Sequence, residues 1–408
     1  MSESEPSVFW PASWPDPMRE SGQFQVTDSQ NTQQPRRHYP AETYLERLLP
    51  HLGSFGLSRL ADVTGLDRIG IPVVQAIRPL ARSNAVNQGK GLTLAEAAVA
   101  SIMEALETYA GERPDPEAET RATPEAVYGT QAVARLGHHL LPDTPEGWAG
   151  TEISFVTGTD ILSGAQVQVP SALVGTDYTP ASDHARTPFM RTTTGLGGGA
   201  TANEALTQGL FETLERLGTS RAMDIHGFFE KHRFDCSSLV EPETRQLLDH
   251  LTASGLLCTV HECPSAGGFP VVWARLLDAE SSATSLPFPA DGFACRGSID
   301  SAVRDAILEA VQTRASVIAG SREDITWQYY PRRADADFLA FERAQMSKAT
   351  DRRLSPEAEP KEDSPFALAT ALKDEGLTAV SVGLMEDTGI PVFITRVVTL
   401  GIPGAGST

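Results

Sequence analysis

The chain has 408 residues, of which 40% are hydrophobic and 21% charged, which is enough for a substantial core in one large domain or two ordinary ones. With 33 Lys and Arg against 53 Asp and Glu, the net charge of −20 argues against binding to nucleic acid or to an anionic membrane surface. Four cysteines make no disulfide scaffold and no stretch approaches the roughly 20 apolar residues of a membrane span, so a cytoplasmic protein is expected.

The first segment, residues 1–35, is polar and rich in Ser, Gln and Pro. This composition predicts disorder because it buries too little apolar surface to offset the entropy of ordering. Phe9, Trp10 and Trp14 could form a docking segment, or could pack locally or not at all. One domain is expected over residues 36–408, with a mobile surface loop at about 350–364, where the sequence is charged and proline-rich.

Three segments share a Gly-x-Pro opening followed by β-branched or aromatic residues. They span residues 70–78, 268–275 and 389–396, and each ends in an arginine. Proline is tolerated at the first position of a strand, so each segment predicts a strand.

A second repeat predicts three helices that begin alike. Thr93 and Thr201 each precede a glutamate at the third helical position, a pattern typical of a capping box. The third copy begins at Ser298, and Ser301 replaces the box glutamate. The acidic positions of the copies correspond as follows: Glu96, Glu104 and Glu107 in the first, Glu204, Glu212 and Glu215 in the second, and Glu309 and Gln312 in the third.

These repeats predict a mixed α+β fold. We expect antiparallel or mixed sheets flanked by helices, built from diverged copies of one strand–helix unit.

The paired glutamates suggest a metal site. Glu104 and Glu107 are three residues apart and share a helix face, as do Glu212 and Glu215. Carboxylates beside a core-facing stripe are costly unless a charge neutralises them, and Mg²⁺ prefers carboxylate oxygens together with substrate phosphates. The absence of His and Cys at these positions argues against zinc or iron. The alternative is that all four are solvated surface glutamates.

Several residues near the helix starts could meet phosphate. Lys90 lies between two glycines just before a predicted helix N-terminus, although it could also be an ordinary loop lysine. The glycine-rich run 195–199 could line the same site or form a flexible turn. Arg216 and Arg314 could each pair with a phosphate or with a nearby carboxylate. No nucleophile motif stands out, so we expect catalysis by positioning and electrostatics.

Taken in order, these segments resemble the YcaO family of ATP-dependent enzymes that modify peptide backbones. The resemblance spans roughly residues 40–400 and is closest to the branch that works with a TfuA-type partner in thioamide formation. The segments that carry it are residues 61–73, 89–91, 101–107, 212–216 and 306–324.

The resemblance implies that ATP and Mg²⁺ bind and that a backbone amide oxygen is phosphorylated after a nucleophile adds to the amide. Phosphate loss then completes the exchange. The substrate would be a precursor peptide or protein, a TfuA-like protein could be a partner, and a homodimer is expected by analogy. The resemblance implies that Glu104, Glu107, Glu212 and Glu215 bind Mg²⁺. It implies phosphate contacts by Lys90, Arg216 and Arg314, of which the two arginines would be catalytic. Glu204, Glu309 and Gln312 would complete the nucleotide site.

The chain departs from the family pattern at four positions, Thr108, Thr194, Ala200 and Leu217. It also lacks the proline-rich C-terminus typical of azoline-forming members, which favours thioamide formation. Three alternatives stay open: an azoline-forming cyclodehydratase, a nucleotide-binding or degenerate scaffold that presents a precursor peptide, and an unrelated magnesium-dependent enzyme.

Overall fold

The computed structural model describes residues 37–112, 119–180, 182, 187–281, 286, 288–321, 336–353, 360–387 and 389–402. The predicted disorder and docking segment at residues 1–35 lie outside the described residues. So do residues 354–359 of the predicted loop and the C-terminal residues from 403 onward.

Along the described residues, short runs of strands and short runs of helices follow one another. The helices are α1 (Ala41–Leu48), α2 (Leu94–Gly111), α3 (Pro124–Tyr128), α4 (Ala132–Leu136), α5 (Ala202–Met223), α6 (Phe228–Lys231), α7 (Pro242–Ala253), α8 (Ile299–Ala319), α9 (Ala336–Met346) and α10 (Pro365–Asp374). The strands are β1 (Arg59–Asp62), β2 (Val73–Ile77), β3 (Val86–Lys90), β4 (Thr120–Ala122), β5 (Ile153–Asp160), β6 (Gln166–Pro170), β7 (Leu196–Gly199), β8 (Leu256–Cys263), β9 (Val271–Asp278), β10 (Ala290–Cys295), β11 (Leu377–Asp387) and β12 (Val392–Gly401).

The strands form three antiparallel sheets. Two have three strands each, in the orders β1-β2-β3 and β10-β9-β8. The third has the order β4-β5-β11-β12-β7, and β6 also pairs with β5. The prediction of a mixed α and β fold with antiparallel sheets is therefore confirmed.

Each sheet contains one copy of the predicted strand–helix unit. A Gly-x-Pro strand, which is β2, β9 or β12, pairs with the strand that runs into a long helix, and those helices are α2, α8 and α5. In every unit the helix backbone lies directly on a strand glycine. A Cβ atom added to Gly89, Gly197 or Gly292 would lie 2.1 to 2.2 Å from the backbone of the following helix. Only glycine permits this close approach.

The three helix starts share their caps, with one difference from the prediction. Thr93 and Glu96 form the complete capping box, since each side chain accepts the other residue's N–H. The Thr201 hydroxyl accepts the Glu204 N–H, but the Glu204 carboxylate accepts from Ala200 at 2.7 Å instead of closing the box. Ser298 caps α8 through the Ser301 N–H.

The three long helices are packed into apolar cores on one side. Their buried residues belong to separate clusters around α2, α5 and α8. None of the helices within the described part of the chain combines the length and apolar character needed to cross a membrane. The other side of the three helices faces a shared cavity.

Candidate functional site

The helices α2, α5 and α8 enclose a cavity of about 460 Å³. It lies within the range typical of small-ligand sites. Every predicted site residue except Arg314 lines it. They are Lys90, Glu104, Glu107, Glu204, Glu212, Glu215, Arg216, Glu309 and Gln312.

Arg314 lies outside this cavity, and its predicted contact with phosphate does not fit its position. The side chain is 3% exposed, and its guanidinium donates to Asp67 at 2.7 Å and to Asp278 at 2.9 Å. Successive residues of a helix turn by about 100°, so a residue two positions after Gln312 points away from the face that carries Gln312. The positive charge of Arg314 is neutralised in a buried ion-pair network that ties α8 to its neighbours.

The carboxylates of α2 hold protons more tightly than ordinary glutamates do. Burial raises the pKa of Glu104 to about 7, although the Gln88 N–H, which donates to this carboxylate at 3.0 Å, and Lys90 act in the opposite direction. Burial also raises the pKa of Glu107 to about 8, with further contributions from the charges of Glu212 and Glu104. Both side chains thus face a site that disfavours isolated negative charge.

The carboxylates of α5 show the same behaviour. Burial, followed by the negative charge of Glu309, raises the pKa of Glu215 to about 8. Burial likewise raises the pKa of Glu212, while Arg216 and Arg396 lower it. The glutamates at equivalent positions of the two helices therefore influence one another's pKa values. Solvated surface glutamates would not show such raised pKa values.

Two cations reach these carboxylates. Lys90 Nζ lies 2.6 Å from Glu309 Oε2, and each side chain is about a quarter exposed. The Arg216 guanidinium lies 3.7 Å from Glu215 and 3.9 Å from Glu212, with 46% of its side chain exposed. Burial lowers the pKa of Arg216, but the three nearby glutamates raise it more. Six glutamates line the cavity against three Lys and Arg residues, so carboxyl groups outnumber cations.

This excess of carboxyl groups fits a divalent cation that is shared with a ligand, because a bound cation would displace the protons that these groups otherwise hold. Among the described residues, no three His, Cys, Asp or Glu side chains are grouped closely enough to enclose a metal ion by themselves. Mg²⁺ usually takes only one or two carboxylates and completes its shell with water and substrate phosphates. The glutamate set therefore suits Mg²⁺ held together with a nucleotide and does not suit a metal held by protein alone.

Part of the cavity lining is apolar and aromatic, and no pattern in the sequence indicated it. Tyr39 and Tyr44 stack with ring centroids 5.8 Å apart, and the Tyr44 hydroxyl donates to the Pro391 carbonyl at 2.8 Å. His38 donates its backbone N–H to the Glu204 carboxylate. Met103 also lines the cavity. These residues precede the first repeat or occupy its apolar positions. Neither the repeat pattern nor the pattern of charged residues therefore predicted that they line the cavity.

One departure from the family pattern has a structural counterpart. Thr108, which stands where the family often has arginine, accepts a hydrogen bond at 3.0 Å from Arg78, which directly follows β2. Arg78 also pairs with Glu112 at 2.6 Å in a buried contact. An arginine that follows β2 thus contacts the residue at position 108.

A scan against family models matches residues 88–400 to the family described as YcaO cyclodehydratase, ATP- and Mg²⁺-binding. An uncharacterized protein of Methanothermobacter thermautotrophicus is 31% identical over 90% of this chain and 95% of its own. An uncharacterized protein in the tfuA 3′ region of Rhizobium leguminosarum bv. trifolii is 28% identical over 89% of this chain and 87% of its own.

The fold is also similar to a solved structure, that of YcaO from Methanopyrus kandleri bound with AMPPCP and Mg²⁺. The TM-score is 0.63 at 21% identity, and the similarity covers 89% of this chain and 91% of that one.

Proposed function

Because the chain belongs to the YcaO family, whose members bind ATP and Mg²⁺, we propose that it activates a backbone amide of a peptide by phosphorylating the amide oxygen, and that the product is a thioamide. The observation that carries this proposal is the cavity in which two glutamate pairs and Arg216 from α2 and α5 converge with Lys90 from β3. Such a site supplies positioning and charge stabilisation, which phosphoryl transfer chiefly requires.

The cavity residues divide into three proposed roles. Glu104, Glu107, Glu212 and Glu215 would hold Mg²⁺, which when bound neutralises charge on the nucleotide phosphates. Lys90 and Arg216 would contact phosphate oxygens, and Lys90 would exchange its present partner Glu309 for them. Glu204, Glu309 and Gln312 would complete the nucleotide site.

The proposed reaction exchanges one atom of the substrate. A sulfide equivalent adds to the amide carbon, and the amide oxygen takes the γ-phosphoryl group of ATP. ADP leaves in that transfer. The carbon–oxygen bond then breaks, phosphate leaves with the former amide oxygen, and the sulfur loses its proton, so that a carbon–sulfur double bond remains. Arg216, which is half-exposed beside Glu212 and Glu215, is the group best placed to offset negative charge on the transferred phosphoryl.

The choice of sulfur as nucleophile is supported by the relative encoded in a tfuA 3′ region. It also suggests that a TfuA-like protein is the partner. A second candidate is azoline formation, in which a neighbouring Cys, Ser or Thr side chain of the peptide attacks the amide. The family description as a cyclodehydratase favours this alternative.

Accurate-mass proteomics tests the proposal on the whole set of cellular peptides, so the substrate does not have to be chosen beforehand. Peptides from cells that carry the wild-type gene are compared with peptides from cells that carry Glu104→Gln or the exposed control Glu46→Gln. We expect a peptide with sulfur in place of one backbone oxygen in the wild type and in Glu46→Gln only. Loss of one water in its place would favour azoline formation, and identical peptide sets in all three would contradict both.

A further inference from the structure

A second cavity, of about 740 Å³, shares no lining residue with the nucleotide site. It is bordered by the C-terminal end of α5, by α6, by strands β8 and β9 and by α9. We call it the aromatic cavity because four apolar aromatic side chains line it: Phe228, Phe229, Trp273 and Phe341. Its volume lies in the range of small-ligand sites, and the proposed reaction assigns no role to it.

The rings of the aromatic cavity are held in place by the fold. Phe229 packs edge-on against Trp273 with centroids 4.9 Å apart, and Phe228 lies 5.8 Å from the same indole. The Trp273 Nε1–H donates to Asp291 at 3.0 Å, which fixes the plane of the indole. Ring faces that are already fixed can bind an apolar or aromatic group at low entropic cost.

Four of the five charged side chains that line the aromatic cavity have ion-pair partners. Arg275 lies 2.9 Å from Glu342 and 3.0 Å from Asp291, which is outside the lining. Lys348 lies 3.6 Å from Glu230. A ligand would have to compete with these partners for the two cations, so neither cation is the place where an anion would bind most readily.

Arg233 is the fifth charged side chain of the lining, and it has no ion-pair partner among the residues that the structure describes. Its side chain is partly exposed, and its guanidinium donates to the Gln345 carbonyl at 3.3 Å. Burial lowers the pKa of Arg233, so the cavity wall holds this charge at a cost in free energy. An anion beside Arg233 would offset that cost through charge-assisted hydrogen bonds.

His261 adds polar character to the lining without adding charge. Burial lowers its pKa to about 3, with further contributions from Arg275 and Arg233, so the imidazole is neutral. Its Nε2 lies 3.1 Å from the Thr259 hydroxyl, and its buried Nδ1 has no hydrogen-bond partner in the described part of the chain. The lining thus contains one unpaired cation and one unpaired ring nitrogen, which favours a ligand with a charged acceptor group over a purely apolar ligand.

We propose that the aromatic cavity binds a carboxylate that has an aromatic or large apolar body. The carboxylate pairs with Arg233, whose planar guanidinium matches its two oxygens, and the body packs on the rings of Phe229 and Trp273. One negative charge suits one unpaired cation, whereas a phosphate monoester carries about two. Two sources offer this chemistry, a free aromatic acid and the C-terminal residue of a peptide. The inference does not depend on the proposed function.

NMR titration of the full chain with small probes tests both halves of the ligand. N-acetyl-phenylalanine has the carboxylate and the ring, N-acetyl-phenylalaninamide lacks the charge, and N-acetyl-glycine lacks the ring. We expect the first to bind about tenfold more tightly than either of the others, because each of those loses one of the two contacts. Similar affinities for the acid and the amide, or no binding of the acid, would overturn the proposal.

A fourth probe, 3-phenylpropionate, distinguishes the two sources. It has the ring and the carboxylate but lacks the peptide group. An affinity equal to that of N-acetyl-phenylalanine would identify the ligand as a free aromatic acid. A weaker affinity would identify it as the C-terminal residue of a peptide.

Substitutions test whether the probes bind at Arg233. Arg233→Met should weaken N-acetyl-phenylalanine about tenfold without affecting the amide, and Arg233→Lys should recover part of the loss. Arg245→Met is the matched control, since Arg245 also donates to a backbone carbonyl, that of Leu239 at 2.7 Å, and lies outside the cavity. Lys90→Met, in the nucleotide site, should bind the probe as the wild type does. Unchanged affinity in Arg233→Met, or weaker affinity in Lys90→Met, would contradict the assignment.

Discussion

Replacing Glu104 by Gln should stabilise the metal-free protein at alkaline pH while removing its ability to bind magnesium–nucleotide. The pKa of Glu104 is raised from 4.5 to about 7, so the folded protein holds this proton more tightly than the unfolded chain does. Its contribution to stability is therefore lost as pH rises from about 4.5 to 7 and stays lost above that. The cost of ionising Glu104 in the fold is about 3 kcal/mol at pH 8 and less than about 1 kcal/mol at pH 5.

Glutamine avoids this cost because it is uncharged at both pH values. Its carbonyl oxygen can still accept the Gln88 N–H that Glu104 accepts at 3.0 Å. Urea denaturation with EDTA should therefore show Glu104→Gln more stable than the wild type by about 1–3 kcal/mol at pH 8, with a much smaller difference at pH 5. Glu46→Gln, on the exposed face of α1, should show no such pH-dependent gain. A Glu104→Gln protein that is less stable at pH 8, or equally affected at both pH values, would refute the electrostatic reasoning.

Three other substitutions separate binding from folding. Lys90→Met removes the cation that lies 2.6 Å from Glu309 and should weaken magnesium–nucleotide binding about tenfold in calorimetry, whereas exposed Lys373→Met should not. Gly197→Ala would place Cβ 2.1 Å from the Ala205 carbonyl and should destabilise the fold by about 3 kcal/mol in urea denaturation, while Gly383→Ala, with no atom within 4 Å, should not. Arg314→Met leaves Asp67 and Asp278 buried without this partner and should lower the free energy of unfolding by about 3–5 kcal/mol. The folded fraction should bind nucleotide with unchanged affinity. A weaker affinity would indicate that Arg314 contacts the nucleotide after all.

The helices that carry the site were predictable because their signals are local. A cap at Thr93, Thr201 or Ser298 fixes where each helix begins, and the helical period then fixes which later residues share a face. Because Glu104, Glu212 and Glu309 lie equally far along the chain from their caps, the same helical period places them at equivalent positions of the three helices.

Other features depend on contacts between distant parts of the chain and leave no local signal. The C-terminal strand β12 pairs with β7, which lies nearly two hundred residues earlier, with Phe393 opposite Gly199. Glu204 accepts from His38 instead of closing its capping box, which spacing alone did not show. The sequence left open whether Arg314 meets a phosphate or a carboxylate, because its partner Asp278 comes from the distant strand β9.

The central claim is that the glutamate pairs Glu104 and Glu107 on α2 and Glu212 and Glu215 on α5 supply carboxylate ligands to Mg²⁺ that is shared with a nucleotide. Calorimetric titration tests it most directly. The purified chain is titrated with a non-hydrolysable ATP analogue, with and without Mg²⁺, beside folded Glu104→Gln and Glu215→Gln variants. The account predicts Mg²⁺-dependent binding to the wild type and its loss in both variants, since each removes one ligand charge. Unchanged binding in both variants would contradict the account.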